Sequence, residues 1–205
     1  MYGQQTNNAA GPAASWPFGW LRFAGLLPLV FFAVRMVDYL NWHTPAHIWW
    51  SCHIANLTLG IGLLLNRPLL IRIAVLWLIL GLPPWALDML VTRIVWPVSL
   101  LTHLGGALFG LLVLWKVRMT RGVWPAALLW FVVLQGLTRL FTSPEPNVNM
   151  AFAIYEVAKS WFSRFWLYWV ATTIAAAGLL WLLETALVWL FPVAAEKQPC
   201  RSDKP

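Results

Sequence analysis

The chain has 205 residues, of which 60% are hydrophobic and only 10% are charged, and its mean hydropathy is +0.69. Soluble domains carry about 25% charged residues, so the composition excludes a soluble globular domain and predicts an all-α polytopic membrane bundle. The net charge of +7 does not indicate a nucleic-acid-binding protein, because the basic residues are scattered through short connections and form no patch. We expect membrane lipid to be the partner.

Six apolar stretches approach the roughly 20 residues that a helix needs to cross the hydrocarbon core. We expect membrane-spanning helices over residues 18–40, 46–65, 69–90, 95–115, 123–141 and 161–191. They form a single bundle over residues 16–193, while the tails 1–15 and 194–205 are expected to be disordered and residues 150–160 to form an interfacial helix. Gly81-Leu82-Pro83-Pro84 predicts a break in the third span, because proline removes a backbone donor and clashes with the preceding turn.

Lysine and arginine residues orient the predicted bundle. With the N-terminus inside the cell, nine of them lie on the cytoplasmic side and four on the external side, and Arg35 lies within the first span beside Asp38. We therefore expect a multi-pass protein of the cell membrane, in bacteria the inner membrane, with both termini cytoplasmic. Cys52 and Cys200 then lie on opposite sides and cannot form a disulfide within the chain.

This orientation collects most of the polar side chains of the spans in the external half. At about 1.5 Å per residue, His53 in the second span and His103 in the fourth lie at similar depths, so their rings are expected to face each other. A buried imidazole in lipid must find a partner. The residues expected to line an external cavity are His53, Asn56, Ser99, Thr102 and His103, accompanied by Asp88, Asn147 and Asn149.

Other polar residues have simpler interpretations. Arg35 and Asp38 are expected to form an ion pair at the level of the lipid headgroups, and His43 and His47 to be interfacial side chains. Glu184 is expected to pair with Arg118 or Arg121. The glycines at 105, 106 and 110 should allow a neighbouring helix to approach closely.

Three classes of function fit these residues. A membrane-embedded acyl hydrolase or acyltransferase would use His103 as base with Cys52, Thr102 or Ser99 as nucleophile, although a single thiol in an apolar helix often serves only as a small hydrophobe. A haem or metal protein would use His53 and His103 as ligands. A small transporter or a scaffold without catalysis would need only the spans and the polar cavity.

Four short motifs resemble, in their order, the landmarks of the YwaF-like family of bacterial multi-pass membrane proteins. They are Cys52-His53-Ile54-Ala55-Asn56-Leu57, Gly81-Leu82-Pro83-Pro84 with Asp88, Thr102-His103, and Asn147-Val148-Asn149-Met150. The resemblance covers residues 48–152 and implies acyl chemistry on lipids, with His103 and the loop asparagines as site residues. One departure is that the family pattern has a histidine a few residues before the cysteine, whereas here Cys52 directly precedes His53.

Overall fold

The computed structural model describes residues 19–192, and the predicted tails, with Cys200, lie outside this range. Every regular element within it is helical, which confirms the all-α fold class. The α-helices of this part of the chain are α1 (Gly19–Phe23), α2 (Leu26–Asn41), α3 (Ser51–Leu64), α4 (Pro68–Leu80), α5 (Leu82–Thr92), α6 (Pro97–Leu100), α7 (Gly106–Val117), α8 (Trp124–Phe141) and α9 (Phe165–Leu190). Between them lie 3-10 turns at Pro45–Trp49, Val148–Met150 and Glu156–Ala158 and a π-helical turn at Leu101–Gly105.

Five helical segments are long and apolar enough to cross a membrane. They are Leu21–Asn41, Pro68–Thr92, Pro97–Val117, Trp124–Phe141 and Phe165–Leu190. These segments match five of the six predicted spans, with ends shifted by a few residues. The predicted break in the third span is confirmed, because α4 ends at Leu80 and α5 begins at Leu82.

The second predicted span has a different form from the expected continuous helix over residues 46–65. A 3-10 turn ends at Trp49, the backbone at Trp50 is extended (φ −54°, ψ 138°), and α3 follows with only 14 residues. Ser51 donates its N–H to Oδ1 of Asn149 (2.8 Å) instead of continuing a helix from the turn. At 1.5 Å per residue α3 is about 21 Å long, which is shorter than a hydrocarbon core of about 30 Å.

Helix α4 is the centre of the bundle and packs against α3, α7, α8 and α9. Its residues from Ile73 to Leu78 are all buried. Trp77 stacks on Phe131 of α8 with ring centroids 4.4 Å apart and donates its indole N–H to the Ala127 carbonyl (2.9 Å). An apolar helix buried on all sides is expected at the core of a multi-helix bundle.

Glycine allows the close helix contacts that were predicted. A Cβ added at Gly110 would lie 3.0 Å from Cγ2 of Val75 on α4, and one added at Gly106 would overlap Oδ1 of Asn56 on α3. The backbone of α7 therefore lies directly against α3 and α4, and larger residues at these positions would push the helices apart.

The connections sort into two ends of the bundle. At one end, the turn Pro45–Trp49 contacts Val148–Met150, and Asn149 donates from Nδ2 to the Trp49 carbonyl (2.7 Å). At the other end, Met119 donates its N–H to the carbonyl of Phe191 (3.3 Å). We call the first of these the asparagine end, and it lies next to the start of α3.

Residues 150–160 do not form the predicted interfacial helix. They contain only the end of one 3-10 turn and the short turn Glu156–Ala158. Asn147, Asn149 and Met150 have positive φ angles (44°, 55° and 57°), which an α-helix does not accommodate. Within this segment Lys159 and Glu156 form an exposed ion pair.

Candidate functional site

Two segments near the asparagine end of the bundle carry the candidate site. The first turn of α3 holds Cys52 and His53, and Asn56 follows one turn later. Cys52 is half-buried, while His53 is 2% exposed and Asn56 is fully buried. Because Cys52 is the second residue of α3, the positive end of the helix dipole lies beside its sulfur.

The second segment is the π-helical turn Leu101–Gly105, which contains His103. A π turn adds one residue to a helical turn and often occurs at functional sites. Thr102 and His103 are both buried here, as is Ser99 in the preceding helix α6. Asn56 joins the two segments, since its Nδ2 donates to the carbonyls of Cys52 and Thr102, each at 3.0 Å.

Cys52 and His103 form the closest pair of reactive side chains in the cluster. The Cys52 Sγ lies 3.1 Å from the His103 Nε2, and the His103 Nδ1 lies 2.9 Å from the Ser99 carbonyl oxygen. A carbonyl oxygen only accepts hydrogen bonds, so Nδ1 carries the ring proton and Nε2 presents its lone pair to the thiol. This is the arrangement of a cysteine with its general base.

Trp85 of α5 holds the His103 ring from the other side. The two ring systems are stacked, with centroids 4.9 Å apart and planes 8° from parallel. The Trp85 indole N–H donates to Oγ of Ser99 (2.9 Å), and that hydroxyl lies 3.4 Å from the His103 Nδ1. The rotation of the imidazole is therefore restricted by a stacked ring as well as by a hydrogen bond. Sequence reasoning did not identify Trp85, because one tryptophan among sixteen carries no distinguishing signal.

His53 lies next to His103, as depth matching predicted. Their rings meet edge to face with centroids 5.3 Å apart. The Nε2 of His53 hydrogen-bonds the Tyr39 hydroxyl of α2 (3.0 Å), whereas its buried Nδ1 has no hydrogen-bond partner in the described structure. Tyr39 was missed because its distance in sequence from either histidine gave no indication of the contact.

The ion pair between Arg35 and Asp38 is confirmed, but Arg35 is not at the surface. It is 8% exposed, and its guanidinium carbon lies 4.2 Å from the centroid of the Tyr39 ring. Because Tyr39 contacts both Arg35 and His53, the ion pair lies beside the histidine cluster. Arg35 Nε, His53 Nδ1 and Asn56 Oδ1 are the buried side-chain polar atoms without a partner in the described part of the chain, and all three belong to this region.

The two hydroxyl candidates for the nucleophile are less well placed than Cys52. Both the Ser99 and Thr102 hydroxyls lie 3.4 Å from Nδ1 of His103, the nitrogen that carries the proton. Thr102 also donates its hydroxyl to the Ser99 carbonyl (3.2 Å). Neither hydroxyl faces the basic lone pair on Nε2, which is directed at sulfur.

The other residues expected to line the cavity lie outside this cluster. Asp88 is on the exposed surface of α5. Asn147 shapes its own loop, because its Oδ1 accepts the N–H groups of Phe152 and Ala153, each at 3.0 Å. Asn149 is buried and caps α3 at Ser51, so its role is to fix the start of the helix that carries Cys52.

The remaining histidines also lie apart from the thiol. His43 is exposed, with a positive φ of 54°. The half-buried ring of His47 lies 5.5 Å from the Tyr39 ring.

The chain matches no family model, no curated protein and no solved structure.

Proposed function

We propose that this protein is a membrane-embedded thiol acyl hydrolase or acyltransferase acting on lipid esters, with Cys52 as the nucleophile and His103 as the general base. The observation that carries the proposal is the 3.1 Å contact between the Cys52 Sγ and the His103 Nε2, with Nδ1 held by the Ser99 carbonyl. A cysteine beside an oriented imidazole is the usual arrangement for covalent acyl transfer.

The reaction proceeds in two steps, acylation of Cys52 and deacylation. The sulfur of Cys52 forms a bond to the ester carbonyl carbon while its proton passes to Nε2 of His103. As the C–O bond breaks, His103 gives that proton to the departing alcohol, and a thioester remains on Cys52. Water or an acceptor alcohol then attacks the thioester carbonyl carbon and gives its proton to His103. The C–S bond breaks, the free acid or the new ester leaves, and His103 returns the proton to the Cys52 sulfur.

Membership of the YwaF-like family is part of the same proposal. It is supported by the position of the Cys52-His53 and Thr102-His103 motifs, which come together in one cluster. The loop motif around Asn149 contacts the same helix start. The chemistry implied by the resemblance and the chemistry available to the cluster therefore agree.

A haem held between His53 and His103 fits this arrangement less well. The two imidazoles touch edge to face with centroids 5.3 Å apart, so a flat porphyrin cannot lie between them without moving a helix. In addition, both His103 nitrogens already have partners: Nε2 faces the Cys52 sulfur and Nδ1 contacts the Ser99 carbonyl.

The test is to trap the acyl-enzyme. Detergent-purified protein is incubated with phospholipids or a long-chain thioester, quenched in acid and analysed by peptide mass spectrometry. We expect an acyl group on Cys52 that hydroxylamine removes and that is absent from Cys52→Ala. The matched control is Ser99→Ala, which keeps the carbonyl that orients His103. Acylation of Ser99 or Thr102 instead, or turnover that survives in Cys52→Ala, would contradict the assignment of the nucleophile.

We also infer six membrane crossings in the cell membrane with both termini cytoplasmic. The inference is supported by the basic-residue bias and by five long apolar helices, to which the 3-10 turn with α3 adds a sixth, shorter crossing. Reporter fusions after Pro45, Arg93 and Asn147 should report the external side. A cytoplasmic signal after Asn147 would overturn the scheme.

A further inference from the structure

We propose that Cys52, His53 and His103 form a binding site for a borderline-soft divalent metal ion of the Zn²⁺ type. The three residues each offer one donor atom, and these atoms lie within 4.8 Å of one another. This site goes beyond acyl chemistry, and its existence does not depend on that function.

The donor set selects the class of ion. One sulfur and two imidazole nitrogens suit Zn²⁺ and its spectroscopic substitute Co²⁺, whereas Mg²⁺ and Ca²⁺ require oxygen ligands. Zn²⁺ binds sulfur at about 2.3 Å and nitrogen at about 2.0–2.1 Å, so donors around it lie about 3.5 Å apart. The contact between Cys52 and His103 already has nearly this length at 3.1 Å, and the third donor needs to move by about 1 Å, within the range of a side-chain adjustment.

The groups behind the histidines support the same assignment. Histidines that bind metals generally hold their second ring nitrogen to an oxygen, which fixes the orientation of the ring. His103 does so through its contact with the Ser99 carbonyl, and His53 through the Tyr39 hydroxyl. In addition, Nδ1 of His53 is a buried polar atom without a partner. A metal ion would satisfy this atom, which otherwise carries a desolvation penalty.

The charges are compatible with a cation. The Cys52 thiol loses its proton on binding, so one positive charge of the ion is neutralised. Arg35 lies nearby, but its charge is paired with Asp38. Three protein ligands leave the fourth tetrahedral position open for water.

Occupation of the site has a consequence for chemistry. The ion would take the sulfur and the Nε2 lone pair, which are the two groups that acyl transfer needs. Bound Zn²⁺ is therefore an inhibitor of the thiol reaction.

The test uses full-length protein in detergent carrying Cys200→Ser, so that Cys52 is the only thiol. Titration with Co²⁺ should give one bound ion with a thiolate-to-cobalt charge-transfer band. We expect Cys52→Ser to remove that band and His53→Ala to weaken binding by at least about tenfold. The exposed His43 provides the control, and His43→Ala should bind as the parent does. A band that persists in Cys52→Ser, or His53→Ala that binds as tightly as the parent, would overturn the site.

A second measurement avoids any change in the cluster. Zn²⁺ should slow alkylation of Cys52 in the same parent protein, as measured by mass spectrometry, and Mg²⁺ should not. Equal alkylation with and without Zn²⁺ would also overturn the proposal. Because neither experiment uses an acyl substrate, failure here is distinct from failure of the acyl-enzyme test.

Discussion

Two buried polar sites, one at the start of α8 and one around His103, differ in how completely their hydrogen bonds are satisfied. Glu184 of α9 is 4% exposed and accepts the N–H groups of Gly122, Val123 and Trp124 at 2.6–2.8 Å, which caps the start of α8. The cluster around His103 instead contains a thiol facing a basic nitrogen and neighbouring polar atoms without partners. Burial of a polar group therefore does not indicate function by itself, whereas an unsatisfied and reactive arrangement does.

The largest expected effect separates chemistry from stability at His103. We expect His103→Ala to lower the rate of lipid ester cleavage by about 10²–10⁴-fold, because the general base is removed. Truncating this buried and stacked ring should also lower the thermal unfolding midpoint, so activity is compared per folded molecule, where the loss should persist. A fall in activity that merely follows a fall in abundance would show that His103, like Glu184, is structural.

The reverse result is expected at Glu184. Glu184→Ala should lower the free energy of unfolding by about 2–3 kcal/mol, because three backbone N–H groups, of which that of Val123 is buried, lose a charged acceptor. Activity per folded molecule should not change. Glu184→Gln keeps one acceptor oxygen and is expected to lose less stability. Unfolding curves that coincide for Glu184→Ala and the parent would remove the distinction between the two sites.

Helix packing beneath the cluster provides a smaller effect. Gly106→Ala should lower the free energy of unfolding by about 1–3 kcal/mol, since its methyl group would overlap Oδ1 of Asn56. The matched control is Gly178→Ala, where nothing lies within 4 Å and the helix should gain slightly. Equal unfolding midpoints for the two variants would show that α7 can move away from α3 without loss.

The smallest effect concerns the cap of α3. Asn149→Ala should lower the free energy of unfolding by about 1 kcal/mol, because Ser51 loses its side-chain acceptor. Asn149→Asp keeps that acceptor but loses the Nδ2 donor to the Trp49 carbonyl and the Thr138 hydroxyl, so it separates the cap from the other two bonds. If the cap positions Cys52, activity should fall in Asn149→Ala even at temperatures where the protein is fully folded. Unchanged activity would restrict Asn149 to a structural role.

The sequence predicts the helical class and most spans because apolar length is a local property. It also predicts that His53 and His103 lie close together, because the depth of a residue in the membrane follows from its distance in residues from the start of the span. It misses the short α3, because the stop at Trp50 depends on a hydrogen bond between residues 51 and 149, which are distant in sequence.

The spacing of residues along the sequence could not predict which side chains contact each other. Glu184 was expected to pair with an arginine, and it binds backbone N–H groups instead because the start of α8 lies against α9 near Glu184. Trp85 and Tyr39 contact the two histidines from helices whose rotation is set only by packing. Such contacts depend on the rotation of each helix about its own axis, which a uniformly apolar sequence does not encode.

The geometry of the site depends on the number of residues in the π-helical turn. Deleting one residue, for example Leu104, would restore an ordinary α-helical turn between α6 and α7. Because the π turn accommodates its extra residue locally, the flanking helices would stay in register, whereas the residues of the turn itself would shift by one position. The Ser99 carbonyl and the His103 ring would then no longer face the same groups, although the protein would have kept all of its polar residues. An insertion or deletion in this turn would therefore separate His103 from Cys52 without any substitution.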